Sequence, residues 1–247
     1  MSGWTKRSDG VHAVLFDLGN TLVRYYTRDE FPPILRRSLE EIVAYLCRVR
    51  WAGAAALEID RLERHAHTLN TENDDGRVRP LEERLAELFG GTATPLPGAL
   101  IGTMAERFLA PIFATAQLDP EAIPTLATLK AAGLKTAIVS NTPWGSASAA
   151  WRAQLARLGL LEHVDAAVFC VDVGWRKPAP ALFEHALATL GVAAERTLFV
   201  GDDPEWDIAG AQRAGLAPVL LGDAASAPEG CRVIPRLADI VTLVQRD

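Results

Sequence analysis

Four short stretches of this chain carry side chains able to do chemistry. The first is Asp17, in Phe16-Asp17-Leu18-Gly19-Asn20-Thr21. The second is Ser140-Asn141-Thr142, the third is Lys177 in Arg176-Lys177-Pro178, and the fourth is Gly201-Asp202-Asp203 followed by Asp207. A carboxylate that leaves a buried strand is costly unless it is paired or binds a metal. Several carboxylates at one loop edge repel one another without a cation, and all-oxygen ligation suits Mg²⁺. Taken singly, each stretch has a plainer explanation: a helix cap, a turn, a solvated surface pair, another turn. Their order along the chain, and their place at successive strand ends, point instead to one site.

The elements that must position them are legible as short apolar runs. Val11 to Phe16, Leu134 to Val139, Ala166 to Cys170, Thr197 to Val200 and Ala217 to Leu221 read as buried parallel strands, brief and mostly rich in Val, Ile, Leu or Phe, as strands covered on both faces should be. Helical segments alternate with them. Asp119-Pro120-Glu121 supplies a helix N-cap, a first-turn proline and a first-turn acid, with Gly133 as the stop. Pro180 to Leu190 ends at Gly191, and Ile208 to Ala214 ends at Gly215. The alternation predicts an α/β fold with a doubly wound parallel sheet. Each candidate residue then falls at a strand's C-terminal end, the edge where open α/β sheets bind ligands.

Residues 24–115 differ. No convincing strand appears there, while Ile34, Leu35, Leu39, Ile42, Val43, Leu46 and Val49 recur at helical spacing. Leu81, Leu85 and Leu88 repeat the pattern, and a further helix runs through Ala99 to Leu109. Asn73-Asp74-Asp75-Gly76 and Gly90-Gly91-Thr92 read as turns between helices. The expected organisation is a core of residues 1–23 and 116–247 with a helical insert, 24–115.

Composition narrows the function class. Net charge is −6 with no basic run, which speaks against a nucleic-acid partner. No apolar stretch is long enough to cross a membrane. Met1 to Gly10 is polar and lacks the apolar centre of a signal peptide, so a cytoplasmic location is expected. Cys47, Cys170 and Cys231 form neither a CxxC nor a zinc spacing, and are expected to be reduced and mostly buried. The basic residues are nearly all arginine. Only Lys6, Lys130, Lys135 and Lys177 are lysines, which limits the lysines available for chemistry.

With these stretches in place, the chain resembles the haloacid dehalogenase superfamily over nearly its whole length. The family's hhhhDxDx[TV] motif matches Val14-Leu15-Phe16-Asp17-Leu18-Gly19-Asn20-Thr21, its strand-end Ser/Thr matches Ser140, its lysine matches Lys177, and its GDxxxxD matches Gly201-Asp202 through Asp207. Ala209-Gly210-Ala211 and Ala214-Gly215 resemble the helix that follows, and the insert resembles the C1 cap of subfamily I. The resemblance implies a Rossmann-like core and a phosphohydrolase acting on a small phosphorylated metabolite, a phosphomonoester or acyl phosphate. Asp17 would attack phosphorus to form an aspartyl-phosphate. Asp17, Asp202 and the Gly19 carbonyl would bind Mg²⁺. Ser140 and Lys177 would hold the phosphoryl oxygens, with Leu18, Gly19 and Asn141 also at the substrate. Asp207 would orient Lys177 or a metal-bound water. Electrostatics agrees, because a dianionic phosphate repels a carboxylate nucleophile unless positive charge surrounds it.

One departure matters. Most phosphatases of the family carry a second Asp two residues after the nucleophile, as general acid and base; here that position is Gly19. A glycine can lend its carbonyl to a metal but cannot protonate a leaving group, a loss of about 10²–10⁴-fold. Slow turnover of alkyl phosphates is expected, with aryl, acyl or sugar 1-phosphates suffering less. Two other readings stand beside this one. A non-catalytic member that binds a phosphorylated ligand would explain Gly19. A 2-haloacid dehalogenase also lacks the second Asp, but Asp202 and Asp203 argue against it. A phosphonatase needs a lysine in the insert, where there is none, and a mutase needs the missing acid.

Aromatic residues crowd the motif loops: Tyr25, Tyr26, Trp144, Trp175 and Trp206. They are expected to face the mouth of the site, either as a rim that stacks on substrate or as a seal between insert and core. Arg28, Arg36 and Arg37 could meet an anionic leaving group, or form a solvated helix face. His65 and His67 fall on different helix faces and make poor metal ligands.

Overall fold

The computed structural model describes residues 10–69, 75–229 and 231–246. The N-terminal segment with Lys6, and the Asn73-Asp74 half of the expected turn, lie outside the described residues.

The strands are β1 (Ala13–Phe16), β2 (Val23–Arg24), β3 (Gln117–Leu118), β4 (Lys135–Ser140), β5 (Ala166–Phe169), β6 (Thr197–Gly201), β7 (Ala217–Leu221) and β8 (Arg232–Ile234). Six of them form one sheet in the order β5-β4-β1-β6-β7-β8, every neighbouring pair parallel. β1 lies between β4 and β6, and all four of its residues are buried. Alternation along it explains why the run is continuously apolar. Ala13 and Leu15 pack on one face, with Leu182, Phe183 and Ala186 of the helix Pro180–Leu190, while Val14 and Phe16 pack on the other, with Leu126 and Leu155. Each fully buried side chain of this size contributes about 1.5–3 kcal/mol. The expected doubly wound sheet is thus present.

The strand limits move by one or two residues from those expected, as element ends commonly do. Two differences are larger. β8 adds a sixth strand that the sequence did not announce, and Cys170 leaves β5 to open a short helix, Cys170–Val173. The helix expected from Ile208 begins earlier, as a π-helical turn over Pro204–Ala209 that continues into Gly210–Arg213. Asp119 still serves the helix Ala122–Ala131 from just outside, its Oδ1 accepting from Glu121 N at 2.7 Å.

Between β2 and β3 the described residues form four long α-helices, α1 (Phe31–Arg48), α2 (Ile59–Leu69), α3 (Leu81–Gly90) and α4 (Gly98–Ala114), with short 3-10 turns at Arg28–Glu30 and Ala52–Ala56. Ile34, Leu35, Leu39, Ile42 and Leu46 line the buried side of α1, as their spacing required, whereas Val49 is exposed. The insertion is closed at its base by an antiparallel pair, Val23 opposite Leu118 and Arg24 opposite Gln117, of which only Arg24 falls within residues 24–115. It touches the core again where Arg77 bridges Trp175, with Val78 N donating to Gly174 O and Arg176 N to Gly76 O, at 3.0 and 2.9 Å. All three cysteines are free. Cys170 is buried and Cys231 half-buried, but Cys47 is exposed, correcting the expectation of mostly buried thiols. Among the described residues no helix is long and apolar enough to cross a membrane.

Candidate active site

The C-terminal edge of the sheet brings the four stretches together. Asp17 follows β1 directly, its amide donating to Val200 O of β6 at 2.9 Å. Ser140 is the last residue of β4, and Asp202 follows the last residue of β6. Lys177 arrives from the loop after Cys170–Val173, and its ammonium lies between two carboxylates, 2.5 Å from Asp17 Oδ1 and 2.6 Å from Asp207 Oδ1. The partners are 160 and 30 residues away along the chain.

Burial alone would push the Lys177 proton off, but Asp17 and Asp207 outweigh it and hold the pKa above the usual lysine range. The group is therefore a fixed cation. Asp207 keeps its second oxygen on the Asp203 amide, at 3.1 Å. Its carboxyl is raised, first by burial, against the pull of Lys177. Gly201 is required by this packing: a Cβ there would stand 2.4 Å from the Asp207 carboxyl carbon.

Asp202 has a different situation. Asp17, Asp202 and Asp207 offer oxygens within 4.8 Å of one another. Lys177 is shared by the other two, and among the described residues no ion pair ties Asp202. Burial, then the charges of Asp17 and Asp207, push its carboxyl up to about 7. A carboxylate held so against its own ionisation fits a site for a hard cation, which would relieve all three acids at once.

The remaining residues assigned from sequence divide. Ser140 is buried at the site edge, its hydroxyl donating weakly to Asn141 O at 3.3 Å. Asn141 turns its side chain to the Lys177 backbone, accepting from Lys177 N at 2.8 Å and donating to Lys177 O at 3.3 Å. This clamp on the lysine was not anticipated, since nothing in the local sequence joins the two. Leu18 is buried, its carbonyl accepting from Leu22 and Val23. Gly19 is half-buried beside Asp17. Asp203 caps the following helical turn, accepting from Glu205 N and Trp206 N, each at 2.8 Å.

The aromatic residues do not all face the mouth. Trp144 is buried, its ring 5.3 Å from that of Phe108 of α4, and Tyr25 is buried edge-on to Trp151. Burial raises the hydroxyl pKa of both Tyr25 and Tyr26. Trp144 seals insertion against core. Trp175 and Trp206 alone of the five line the cavity beside Lys177. Arg36 is paired with Asp60 and Glu63, at 2.8 and 2.9 Å.

A parallel sheet thus gathers an aspartate, a buried lysine and an acidic cluster at one edge. The family model for haloacid dehalogenase-like hydrolases matches residues 11–215. The chain is 32% identical over 216 residues to a ribulose-1,5-bisphosphate 5-phosphatase of Halopiger xanaduensis, covering 84% of this chain and 83% of that one. It is 37% identical over 222 residues to a phosphoglycolate phosphatase of Rhodospirillum rubrum, covering 85% and 78%. Among solved structures, a HAD phosphatase from Thermococcus onnurineus superposes with a TM-score of 0.63 at 22% identity, over 94% of this chain and 97% of that one. A 2-haloacid dehalogenase from Pseudomonas syringae shares the fold equally, with a TM-score of 0.66 at 22% identity over 96% and 99%. The chain belongs to the haloacid dehalogenase-like hydrolases, and it is an enzyme of their phosphatase type.

Proposed function

We propose that the protein is a Mg²⁺-dependent phosphohydrolase that works through an aspartyl-phosphate at Asp17. The observation that carries the reading is the Lys177 ammonium fixed between Asp17 and Asp207, next to an Asp202 whose carboxyl burial and those two charges push up to about 7. Asp17 and Asp202, with the Gly19 carbonyl, would hold the metal, which when bound would neutralise charge on the phosphoryl group.

The chain's own residues do the rest. Lys177 holds Asp17 Oδ1, leaving Oδ2 to attack phosphorus. The new O–P bond forms as the bond to the leaving group breaks, and that group departs with the electron pair. Water then attacks the same phosphorus, the Asp17–phosphorus bond breaks, and phosphate leaves with the carboxylate restored. Lys177 and Ser140 meet the transferring oxygens. Asp207 and Asn141 keep Lys177 in place, one from the ammonium and the other from the backbone. Gly19 offers no proton, so leaving groups that depart unprotonated fare best.

Residues 24–115 act as the cap over this site. The substrate is a small phosphorylated metabolite, in keeping with relatives named for ribulose bisphosphate and phosphoglycolate. Phosphate release from p-nitrophenyl phosphate and acetyl phosphate tests the reading. It should require Mg²⁺, stop with EDTA, and vanish in Asp17→Asn. A folded protein that releases no phosphate from any phosphate ester contradicts it in favour of a phospho-ligand binder, and metal-free halide release from a 2-haloacid contradicts it in favour of a dehalogenase.

A further inference from the structure

A cavity of about 420 Å³ adjoins Lys177, walled by Trp175 and Trp206. Three arginines reach it from separate parts of the chain: Arg28 from the turn after β2, Arg176 from the loop before Lys177, and Arg213 from the core helix Gly210–Arg213. Arg28 and Arg176 lie against the Trp206 ring, 5.6 and 5.9 Å from its centre. Stacking on a ring orients a guanidinium without spending its N–H donors. Arg28 and Arg213 are exposed, and neither has a carboxylate partner among the described residues; Arg213 makes one long bond, 3.4 Å, to Pro178 O. Two acids share the lining. Asp75 is committed to Arg79 at 2.8 Å, which leaves Glu205 against two uncommitted guanidinium groups.

We propose that this cavity binds a second anionic group on the substrate, so that the preferred substrates are phosphate esters carrying a carboxylate or another phosphate at the far end. The inference rests on the phosphohydrolase reading and names the substrate class for that site. The planar fork of an arginine matches either anion, and two forks converging beside the lysine select a doubly charged molecule over a phosphate ester with a neutral tail.

Binding separates this claim from turnover. Asp17→Asn protein with Mg²⁺ is titrated calorimetrically with phosphorylated ω-hydroxy acids of increasing chain length, with their neutral amides, and with the corresponding bisphosphates. The acids or the bisphosphates should bind about ten- to hundred-fold tighter than the amides at one favoured length, the factor expected of a charge-assisted hydrogen bond. Whichever series wins identifies the far group as carboxylate or phosphate. Arg28→Met and Arg213→Met, each checked for an unchanged melting temperature, should each cut that preference about ten-fold or more. Equal affinity for acid, amide and bisphosphate at every length overturns the inference, as does a preference that survives both arginine changes. Tight, arginine-dependent binding in a wild-type protein without turnover supports the cavity assignment and contradicts only the catalytic reading.

Discussion

Replacing Gly19 with aspartate probes the most unusual feature of the site. Gly19 is half-buried and its backbone lies outside the left-handed region, while a Cβ added there meets no atom within 4 Å. A side chain therefore enters open space, and the stability cost of the change is small. The new carboxyl would stand two residues after Asp17, where it could protonate a departing alkoxide. General acid catalysis is worth about 10²–10⁴-fold, or roughly 3–5 kcal/mol in the barrier. Steady-state kinetics on an alkyl phosphate should show kcat/KM rising by about 10² or more. The rate on p-nitrophenyl phosphate, whose leaving group needs no proton, should change by less than about ten-fold. A fourth acid beside Asp17, Asp202 and Asp207 should also make the reaction more dependent on magnesium. If the folded variant gains nothing on alkyl phosphates, Gly19 does not limit the reaction, and the reasoning from the missing acid is wrong.

Further outcomes follow from the same geometry. Lys177→Met strands Asp17 and Asp207 as buried carboxylates, so activity should disappear and stability fall by about 3–5 kcal/mol, read by urea denaturation; a variant as stable as the parent would contradict the described ion pairs. Asp202, raised to about 7 in the folded protein, keeps its proton where the unfolded chain has released it. Metal-free protein should thus lose stability as pH climbs from about 4 to about 7. Added Mg²⁺ should raise the melting temperature more at pH 8 than at pH 5, and an increment independent of pH would count against Asp202 as a ligand. Trp144→Ala opens the insertion–core packing and should cost about 3–5 kcal/mol, whereas Trp206→Ala should mainly raise KM; the reverse pattern would misplace both rings.

Much of the sheet was legible because its physics is local. Ala13–Phe16 is covered on both faces, so every position is apolar, and the same logic exposed the strands ending at Ser140, Gly201 and Leu221. The pair Val23–Arg24 and Gln117–Leu118 was not legible, because two residues carry no period and their pairing spans the whole insertion. β8 was hidden for a related reason: only three residues, led by an arginine, at the sheet edge. The side chains that gather at the sheet edge could be named from motifs, but their partners could not. That Asn141 grips the Lys177 backbone, and that Trp144 turns inward from a left-handed position at φ 57°, depends on folded geometry. So does the meeting of Arg28, Arg176 and Arg213 at one cavity.

The covalent step proposed at Asp17 is open to direct observation. Protein mixed with acetyl phosphate and Mg²⁺, quenched in acid within a single turnover and digested, should yield a peptide spanning Asp17 that is heavier by one phosphoryl group. The label should be absent with EDTA and in Asp17→Asn, and should be lost on adding alkaline hydroxylamine. Phosphate release at full rate with no modified Asp17 peptide at any quench time, or a phosphoryl group found on another residue, would contradict nucleophilic catalysis by Asp17.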